Sequence, residues 1–215
     1  MIISHRHRFI FIAVPKVATR ALRQALTMQL DSMDWQQQNL FAERRLPIGD
    51  LAGKAHGHLS VREIRPHLPE ELWRGYVKCA FVRDPFERFV DICLFLDGAR
   101  ELPTAEAAAR MKKALATDRF RQRPLVLPQS DFLTDTAGRL AVDFIGRYET
   151  LQSSYDELCR LIGIENAGLE RRRQPEQRDW RRYYDEELLG LVAEFYRADL
   201  ENFGYATDVL SPAGG

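Results

Sequence analysis

Residues 9–20 read Phe-Ile-Phe-Ile-Ala-Val-Pro-Lys-Val-Ala-Thr-Arg and carry the strongest local signal for the fold. Phe9 to Val14 are continuously apolar, which is typical of a central parallel strand that is covered on both faces. Pro15 ends the strand, and from Thr19 onward apolar residues recur at helical spacing. A strand that stops at a lysine-bearing turn and continues as a helix presents backbone N–H groups and a cation to an anion. The stretch therefore predicts an anion-binding turn at the edge of an α/β sheet.

Residues 76–88 repeat this arrangement further along the chain. An apolar strand is followed by Arg83, and Pro85 stands at a first helical position. Arg83 falls at the carboxyl end of the strand, where open α/β sheets bind ligands, and a guanidinium there suits a phosphate or a carboxylate. Two such turns suggest one ligand with two phosphate-like ends.

The charged neighbours of Arg83 have structural interpretations. Asp84 can cap the helix that follows, and Glu87 stands at capping-box distance from it. Arg88 is interpreted as a solvated surface arginine.

A third apolar run, residues 140–146, completes a pattern of strands separated by helical segments. This alternation predicts an α/β fold, a single domain with a central parallel sheet flanked by helices. We expect the domain to span residues 1–205 and the tail 206–215 to be disordered. Residues 31–54 have no clear period and predict an irregular surface excursion. Helices are predicted from Thr19, over residues 85–97, 104–117 and 153–162, and between a cap at Asp185 and Gly204.

Composition limits the classes of function. Lys and Arg equal Asp and Glu at 31 each, so no overall field draws the protein to nucleic acid or to an anionic membrane. No apolar run reaches the roughly 18–20 residues of a membrane span, and the start lacks the features of a signal peptide. The three cysteines are interpreted as buried thiols. A cytoplasmic protein without a metal site is the simplest expectation, and the oligomeric state is not indicated.

The first turn differs from a Walker A loop because it lacks the glycines and the Gly-Lys-Ser/Thr ending. It nevertheless offers Lys16 as a point charge, Thr19 as a hydroxyl donor and Arg20 as a second cation. Ala18 and Ala21 are small enough to let an anion approach the backbone. A helix start that merely carries a lysine is an equally good interpretation of this turn taken alone.

The two turns together resemble the 5′-phosphosulfate and 3′-phosphate motifs of sulfotransferases. The resemblance rests on Val14-Pro-Lys-Val-Ala18 and Phe81-Val-Arg-Asp-Pro-Phe-Glu-Arg88, in that order. It is closest to the carbohydrate type, which includes chondroitin sulfotransferases and many bacterial relatives. Similar segments occur at residues 128–133, 142–149, 183–187 and 199–205. The resemblance implies a P-loop NTPase-like sulfotransferase fold.

By this resemblance the donor is 3′-phosphoadenosine 5′-phosphosulfate, and the acceptor is a hydroxyl of a saccharide or related metabolite. The phosphosulfate would be held by Lys16, by Thr19 and by the backbone of residues 17–21, which are Val17, Ala18, Thr19, Arg20 and Ala21. Arg83 would bind the 3′-phosphate.

The chain departs from the family pattern at two positions. Asp91 stands where relatives usually have a serine that also contacts the 3′-phosphate. A carboxylate there must turn away, pair with a nearby arginine or indicate altered donor binding. Arg20 stands where a small hydroxyl residue is common, and it can still contact a phosphate.

The same resemblance assigns the catalytic roles. Lys16 would stabilise the charge of the leaving phosphate. A hydroxyl acceptor also needs a general base near neutral pH, for which histidine is suited. His58, in Gly57-His-Leu-Ser60, matches the place of the base in relatives, and His56 is the alternative.

Two other classes of function remain open. The first is a catalytically degenerate protein that binds a nucleotide bisphosphate or an anionic glycan. The second is a P-loop kinase, which the missing Gly-Lys-Ser/Thr sequence disfavours. The basic cluster Arg171–Arg173, Arg178, Arg181 and Arg182 is either a solvated loop or a flap or groove for an anion. Residues 31–54 and 104–117 fall where acceptor specificity is expected.

Overall fold

The computed structural model describes residues 1–37, 46–54, 56–99, 101–166, 168–169 and 179–207. The described residues form two compact units. The first lies within Met1–Val82 and Gln129–Glu170, and the second within Arg83–Pro128 and Arg171–Gly215. The first turn and both candidate base histidines belong to the first unit. Arg83 and Asp91 belong to the second. The disorder expected for residues 206–215 falls largely on residues 208–215, which lie outside the described part.

Five strands occur among the described residues, all of them in the first unit. They are β1 (Ile2–Ser4), β2 (Phe9–Ile12), β3 (Trp35–Gln36), β4 (Val77–Val82) and β5 (Phe144–Arg147).

The α-helices of the described residues are divided between the two units. The first unit contains α1 (Thr19–Thr27), α2 (Gly49–Ala52), α3 (Val61–Ile64), α4 (Glu70–Gly75), α8 (Gln129–Leu133) and α9 (Leu151–Ile162). The second contains α5 (Pro85–Leu96), α6 (Thr104–Leu115), α7 (Asp118–Arg121), α10 (Glu186–Phe195) and α11 (Arg197–Phe203).

The sheet has the strand order β3-β1-β2-β4-β5. Its centre is parallel, because β2 pairs with β4 and β4 with β5 in the same direction. The predicted α/β class is thus confirmed. The sheet as a whole is mixed, since β1 pairs antiparallel with both β2 and β3. The strand β3 also shows that residues 31–54 are not wholly irregular.

Burial of apolar side chains explains why the first turn is held firmly. All four residues of β2 are fully buried, as are Ala13 and Val14 after it. The helix α1 buries Leu22 and Leu26 on one face, the spacing that its sequence predicts.

The strands β4 and β5 approach each other closely at Gly146. This residue of β5 lies so near the ring of Phe81 that an added Cβ would be 2.5 Å from a ring carbon.

The second unit is built on one apolar cluster. Phe86 and Phe89 of α5 pack with side chains from the later helices, including Trp180 and Tyr196. The rings of Phe86 and Trp180 are stacked, with centroids 6.2 Å apart. Trp180 and Tyr183 therefore belong to the core of this unit.

The predicted ends of the last helix are confirmed, but its continuity is not. The carboxylate of Asp185 accepts a hydrogen bond from the N–H of Leu188 at 2.8 Å, and Gly204 ends the segment with a φ of 64°. Between them the helix is interrupted at Tyr196, which separates α10 from α11. The ring of Tyr196 is fully buried, and its hydroxyl donates to the carbonyl of Val126 at 2.7 Å.

Candidate functional site

The turn after β2 has an unusual backbone. Lys16 and Ala18 have φ values of 66° and 59°, in the left-handed region that residues with a Cβ rarely adopt. This conformation costs roughly 1–2 kcal/mol per residue, and such strain clusters at functional sites. The helix α1 then begins at Thr19 with no side-chain cap and no acidic residue in its first turn. Uncapped N–H groups and the positive end of the helix dipole favour an anion at this place.

Thr19 has a structural role in this turn. Its hydroxyl donates a hydrogen bond to the carbonyl of Val14, and the residue is 8% exposed. The hydroxyl has one hydrogen, and that hydrogen is used inside the turn. The sequence predicted that this hydroxyl would donate to the anion. In the structure, the backbone N–H of Thr19 is the group suited to donate to an anion instead.

His58 lies beside the end of β2. Its Nδ1 is 2.7 Å from the carbonyl oxygen of Ala13. Because a carbonyl only accepts hydrogen bonds, Nδ1 carries the proton and Nε2 carries the lone pair. Burial lowers the pKa of His58 to about 4, and Arg23 acts in the same direction. The imidazole is therefore neutral at physiological pH.

His56 has a different environment. Its Nδ1 accepts a hydrogen bond from the backbone N–H of His58 at 3.3 Å. Burial lowers the pKa of His56, and the charge of Lys54 adds to this effect. His56 thus contacts the backbone that carries His58.

A cavity of about 580 Å³ brings three of the predicted site residues together. Thr19, Arg20 and His58 line it, along with further residues of α1: Arg23, Gln24, Thr27 and Met28. The arrangement places an imidazole and two arginines around a space that is large enough for a small ligand. His56 is not among the residues that line this cavity.

Arg23 positions the segment that carries His58, a role that the sequence analysis missed. Its Nη2 donates to the carbonyl of Gly57 at 2.7 Å and to that of Gln37 at 3.3 Å. Burial lowers the pKa of Arg23 to about 10. A Cβ on Gly57 would lie 1.7 Å from the carbonyl oxygen of Gln37, so only glycine fits there. Gly57 itself was the available signal, because a residue without a Cβ permits a close approach of backbones.

In the second unit, Arg83 is held by two carboxylates. Its Nη2 is 3.0 Å from Oε1 of Glu87, and its Nη1 is 3.1 Å from Oδ2 of Asp91. Of the three possibilities for Asp91, the structure shows pairing with a nearby arginine. Asp84 caps α5, as predicted, by accepting from the N–H groups of Phe86 and Glu87 at 2.8 and 3.1 Å. The carboxylate of Glu87 is engaged by Arg83, in place of the predicted capping box.

The interpretation of Arg88 as a surface residue is wrong. Arg88 is fully buried, and its Nη2 donates to the carbonyls of Leu125 and Leu127, both at 3.1 Å. Its guanidinium also lies over the ring of Tyr196 at 5.7 Å from the centroid. The residue ties α5 to the segment before Pro128, and burial lowers its pKa.

The remaining predicted segments are only partly described. Arg171–Arg173 and Arg178 lie outside the described residues. Of the rest of that basic cluster, Arg181 lies over the ring of Trp180, and Arg182 pairs with Glu101 at 3.0 Å. The helix α6 contributes to a separate cavity of about 380 Å³ within the second unit, whose basic lining residues are Arg110, Arg119 and Arg123.

Three further observations concern the whole of the described chain. The thiols of Cys79, Cys93 and Cys159 are buried and reduced, as predicted. Over the described ranges, no group of three or more His, Cys, Asp or Glu residues is placed to hold a metal ion. None of the helices in those ranges is both long and apolar enough to cross a membrane.

The dependence of the free energy of unfolding on pH, measured in the acid range, tests the environment of His58. The pKa of His58 falls from 6.5 to about 4 on folding, so below pH 6.5 the unfolded chain binds a proton that the folded chain does not. The free energy of unfolding should therefore decrease as the pH falls from 6.5 to 4, by at most roughly 3 kcal/mol from this group. Urea unfolding of the parent and of His58→Asn across this pH range measures the effect.

The difference between the two proteins isolates His58, since the titration of His56 is common to both and cancels. A difference that stays constant from pH 4 to pH 7 would mean that the imidazole of His58 is solvated.

Comparison with known proteins adds one finding. The model of the sulfotransferase family matches residues 1–206, which include residues of both units. No curated protein and no solved structure matches the chain.

Proposed function

The chain belongs to the sulfotransferase family, and we propose that it transfers the sulfuryl group of 3′-phosphoadenosine 5′-phosphosulfate to a hydroxyl of a saccharide or related metabolite. The observation that carries the proposal is the turn after β2. Its left-handed residues Lys16 and Ala18 lead into a helix start without a side-chain cap. The same helix lines the cavity that contains His58. These residues fit a phosphosulfate group because they offer N–H donors and a cation, and the first turn of α1 contains no acidic residue.

In this proposal the chain acts by positioning and by neutralising charge. Lys16, the backbone of residues 17–21 and Arg20 bind the phosphosulfate end of the donor. The acceptor oxygen forms a bond to sulfur while the bond between sulfur and the phosphate oxygen breaks. Lys16 offsets the negative charge that develops on the departing phosphate, as cations do in phosphoryl transfer. The products are a sulfate ester and adenosine 3′,5′-bisphosphate.

His58 is the proposed general base. Its Nδ1–H is directed to the Ala13 carbonyl, which leaves Nε2 to accept the proton of the acceptor hydroxyl. The low pKa keeps the imidazole in its neutral, accepting form at neutral pH. The cavity beside His58 is the proposed place of the acceptor hydroxyl.

A second candidate function is binding of a nucleotide bisphosphate without catalysis. The observation that favours it is the pairing of Arg83 with Glu87 and Asp91. Arg83 is the residue proposed for the 3′-phosphate, and two carboxylates compete with a phosphate for its guanidinium.

A calorimetric titration with adenosine 3′,5′-bisphosphate tests donor binding. We expect the parent to bind and Lys16→Ala to bind about 10- to 100-fold more weakly, the effect of losing one charge-assisted contact to phosphate. Lys113→Ala is the matched control, because Lys113 is an exposed lysine of α6 in the second unit. It should bind as the parent does.

The outcomes separate the two candidates. Absence of binding by the folded parent would contradict both. Binding that depends on Lys16, with no sulfate transfer to any member of a broad acceptor panel, would favour the binding protein over the enzyme.

A further inference from the structure

Residues 110–123 are strongly basic in a chain that has no net charge. They contain six Lys and Arg residues and a single acidic one, Asp118, whereas the whole chain has 31 basic and 31 acidic residues. The segment covers the end of α6 and all of α7, and it lies within the second unit. Such a local excess of positive charge attracts anions although the chain as a whole does not.

The basic side chains of this segment differ in how their charges are compensated. Lys112 pairs with two carboxylates at the N-terminal end of α10, and Arg121 pairs with Asp118. For Arg119 and Arg123, by contrast, no carboxylate of the described ranges is within ion-pair distance. The charges of these two arginines are therefore available to an anion from solution.

Arg119 and Arg123 line the same cavity, the one of about 380 Å³ in the second unit. They are four residues apart on a helical turn, so their side chains face the same side. Arg121, which lies between them in sequence, lines a different cavity. The wall that they face is apolar, and it is formed by Cys93, Leu96, Met111, Ala114 and Phe120.

The cavity has a net positive lining. Besides Arg119 and Arg123 it contains Arg110, which pairs with Asp97 at 3.1 Å, so three guanidiniums face one carboxylate. Because Asp97 repels a bound anion and occupies Arg110, the anion is expected beside Arg119 and Arg123. Both of these residues are exposed, whereas Cys93 and Met111 are buried. The charges thus lie at the solvent side and the apolar surface lies inside.

This combination selects one chemical class of ligand. Guanidinium groups bind sulfate, sulfonate and carboxylate groups through planar, paired hydrogen bonds. A small inorganic ion would leave the apolar wall in contact with water, whereas an apolar body attached to the charged group covers it. The volume also lies in the range of small-molecule sites, which is roughly 300–1,000 Å³.

We propose that this cavity is a binding site for a small amphipathic anion, a molecule with an aromatic or short aliphatic body and one sulfate, sulfonate or carboxylate group. The site is distinct from the residues of the proposed transfer. It shares no lining residue with the cavity beside His58. It contacts α5 at the last turn, whereas Arg83 precedes the first residue of that helix, whose twelve residues span roughly 18 Å.

A calorimetric titration of the full chain with naphthalene-2-sulfonate tests the proposal. We expect the parent to bind this probe with a Kd of about 10–100 μM and to bind the neutral naphthalen-2-ol at least about 10-fold more weakly. The double variant Arg119→Ala, Arg123→Ala should bind the sulfonate at least about 10-fold more weakly than the parent, since it loses the charge-assisted contacts. Ala114→Phe, which fills the cavity from α6, should also weaken binding.

The double variant Lys113→Ala, Arg121→Ala is the matched control. It removes the same number of positive charges from the same segment, and neither residue lines this cavity. Its affinity for the sulfonate should stay within about twofold of that of the parent. Thermal melting of each variant establishes that it is folded before the titration.

Each other outcome overturns the inference. A folded parent whose Kd for the sulfonate exceeds about 1 mM has no such site. Undiminished binding by the folded Arg119 and Arg123 variant would mean that the probe binds elsewhere on the chain. An equal loss in the control would show a general attraction of anions to residues 110–123. Inorganic sulfate that binds as tightly as the probe would leave a site for an ion alone and exclude the apolar contribution.

Discussion

Replacing His58 by asparagine should lower the rate of sulfuryl transfer by about 10²- to 10⁴-fold, the usual contribution of a general base. Asparagine is chosen because its amide N–H can replace Nδ1 as the donor to the Ala13 carbonyl. It has no counterpart of Nε2 that could take a proton. The variant therefore removes the proposed base while it keeps the contact that positions it. The affinity for adenosine 3′,5′-bisphosphate should change little.

The measurement is the rate of transfer from labelled donor to the acceptor on which the parent is active, together with a calorimetric titration. His67→Asn is the control, because His67 is exposed and lies at the end of a 3₁₀ turn. It should retain the parental rate. His56→Asn tests the alternative base: a large loss of rate there, with His58→Asn nearly active, would assign the proton transfer to His56.

The central part of the fold could be predicted because its signals are local. The apolar runs that became β2 and β4 are long enough to show their burial without knowledge of their partners. The strands β1 and β3 could not be predicted in this way. They have three and two residues, and their existence depends on pairing with each other and with β2. The break at Tyr196 was also hidden, because the apolar spacing continues through it.

The backbone of the candidate site could be predicted from the sequence, but most of its side-chain contacts could not. The strand, turn and helix around Lys16 follow from the order of apolar and small residues. Two sets of contacts depend on tertiary geometry. They are the hydrogen bond from the Thr19 hydroxyl to the Val14 carbonyl and those from Arg23 to two carbonyls. For the pairing of Arg83 with Glu87 and Asp91 the signal was present, because the two carboxylates follow the arginine at spacings of four and eight residues.

The burial of Arg88 could not be predicted from residue spacing. Its replacement also has the largest expected effect on stability. Arg88→Ala should lower the free energy of unfolding by about 3–5 kcal/mol, as large truncations of buried, hydrogen-bonded groups do. The variant leaves a void over the ring of Tyr196 and removes the donor to the carbonyls of Leu125 and Leu127. Urea unfolding at neutral pH measures the loss.

Two comparisons identify the cause of that loss. Arg197→Ala removes an arginine whose side chain is 60% exposed and which pairs with Glu194 on the surface, so it should cost less than about 0.5 kcal/mol. Arg88→Met fills much of the void but donates no hydrogen bond. If Met recovers most of the stability, packing dominates. If Met is nearly as unstable as Ala, the two carbonyls without a donor account for the loss, at about 1–3 kcal/mol each. A loss below about 1 kcal/mol for Arg88→Ala would contradict the burial itself. Because both carbonyls lie in one short segment and accept from the same nitrogen, we expect the second result: methionine cannot donate to them, and its apolar side chain leaves both half-buried residues without this donor.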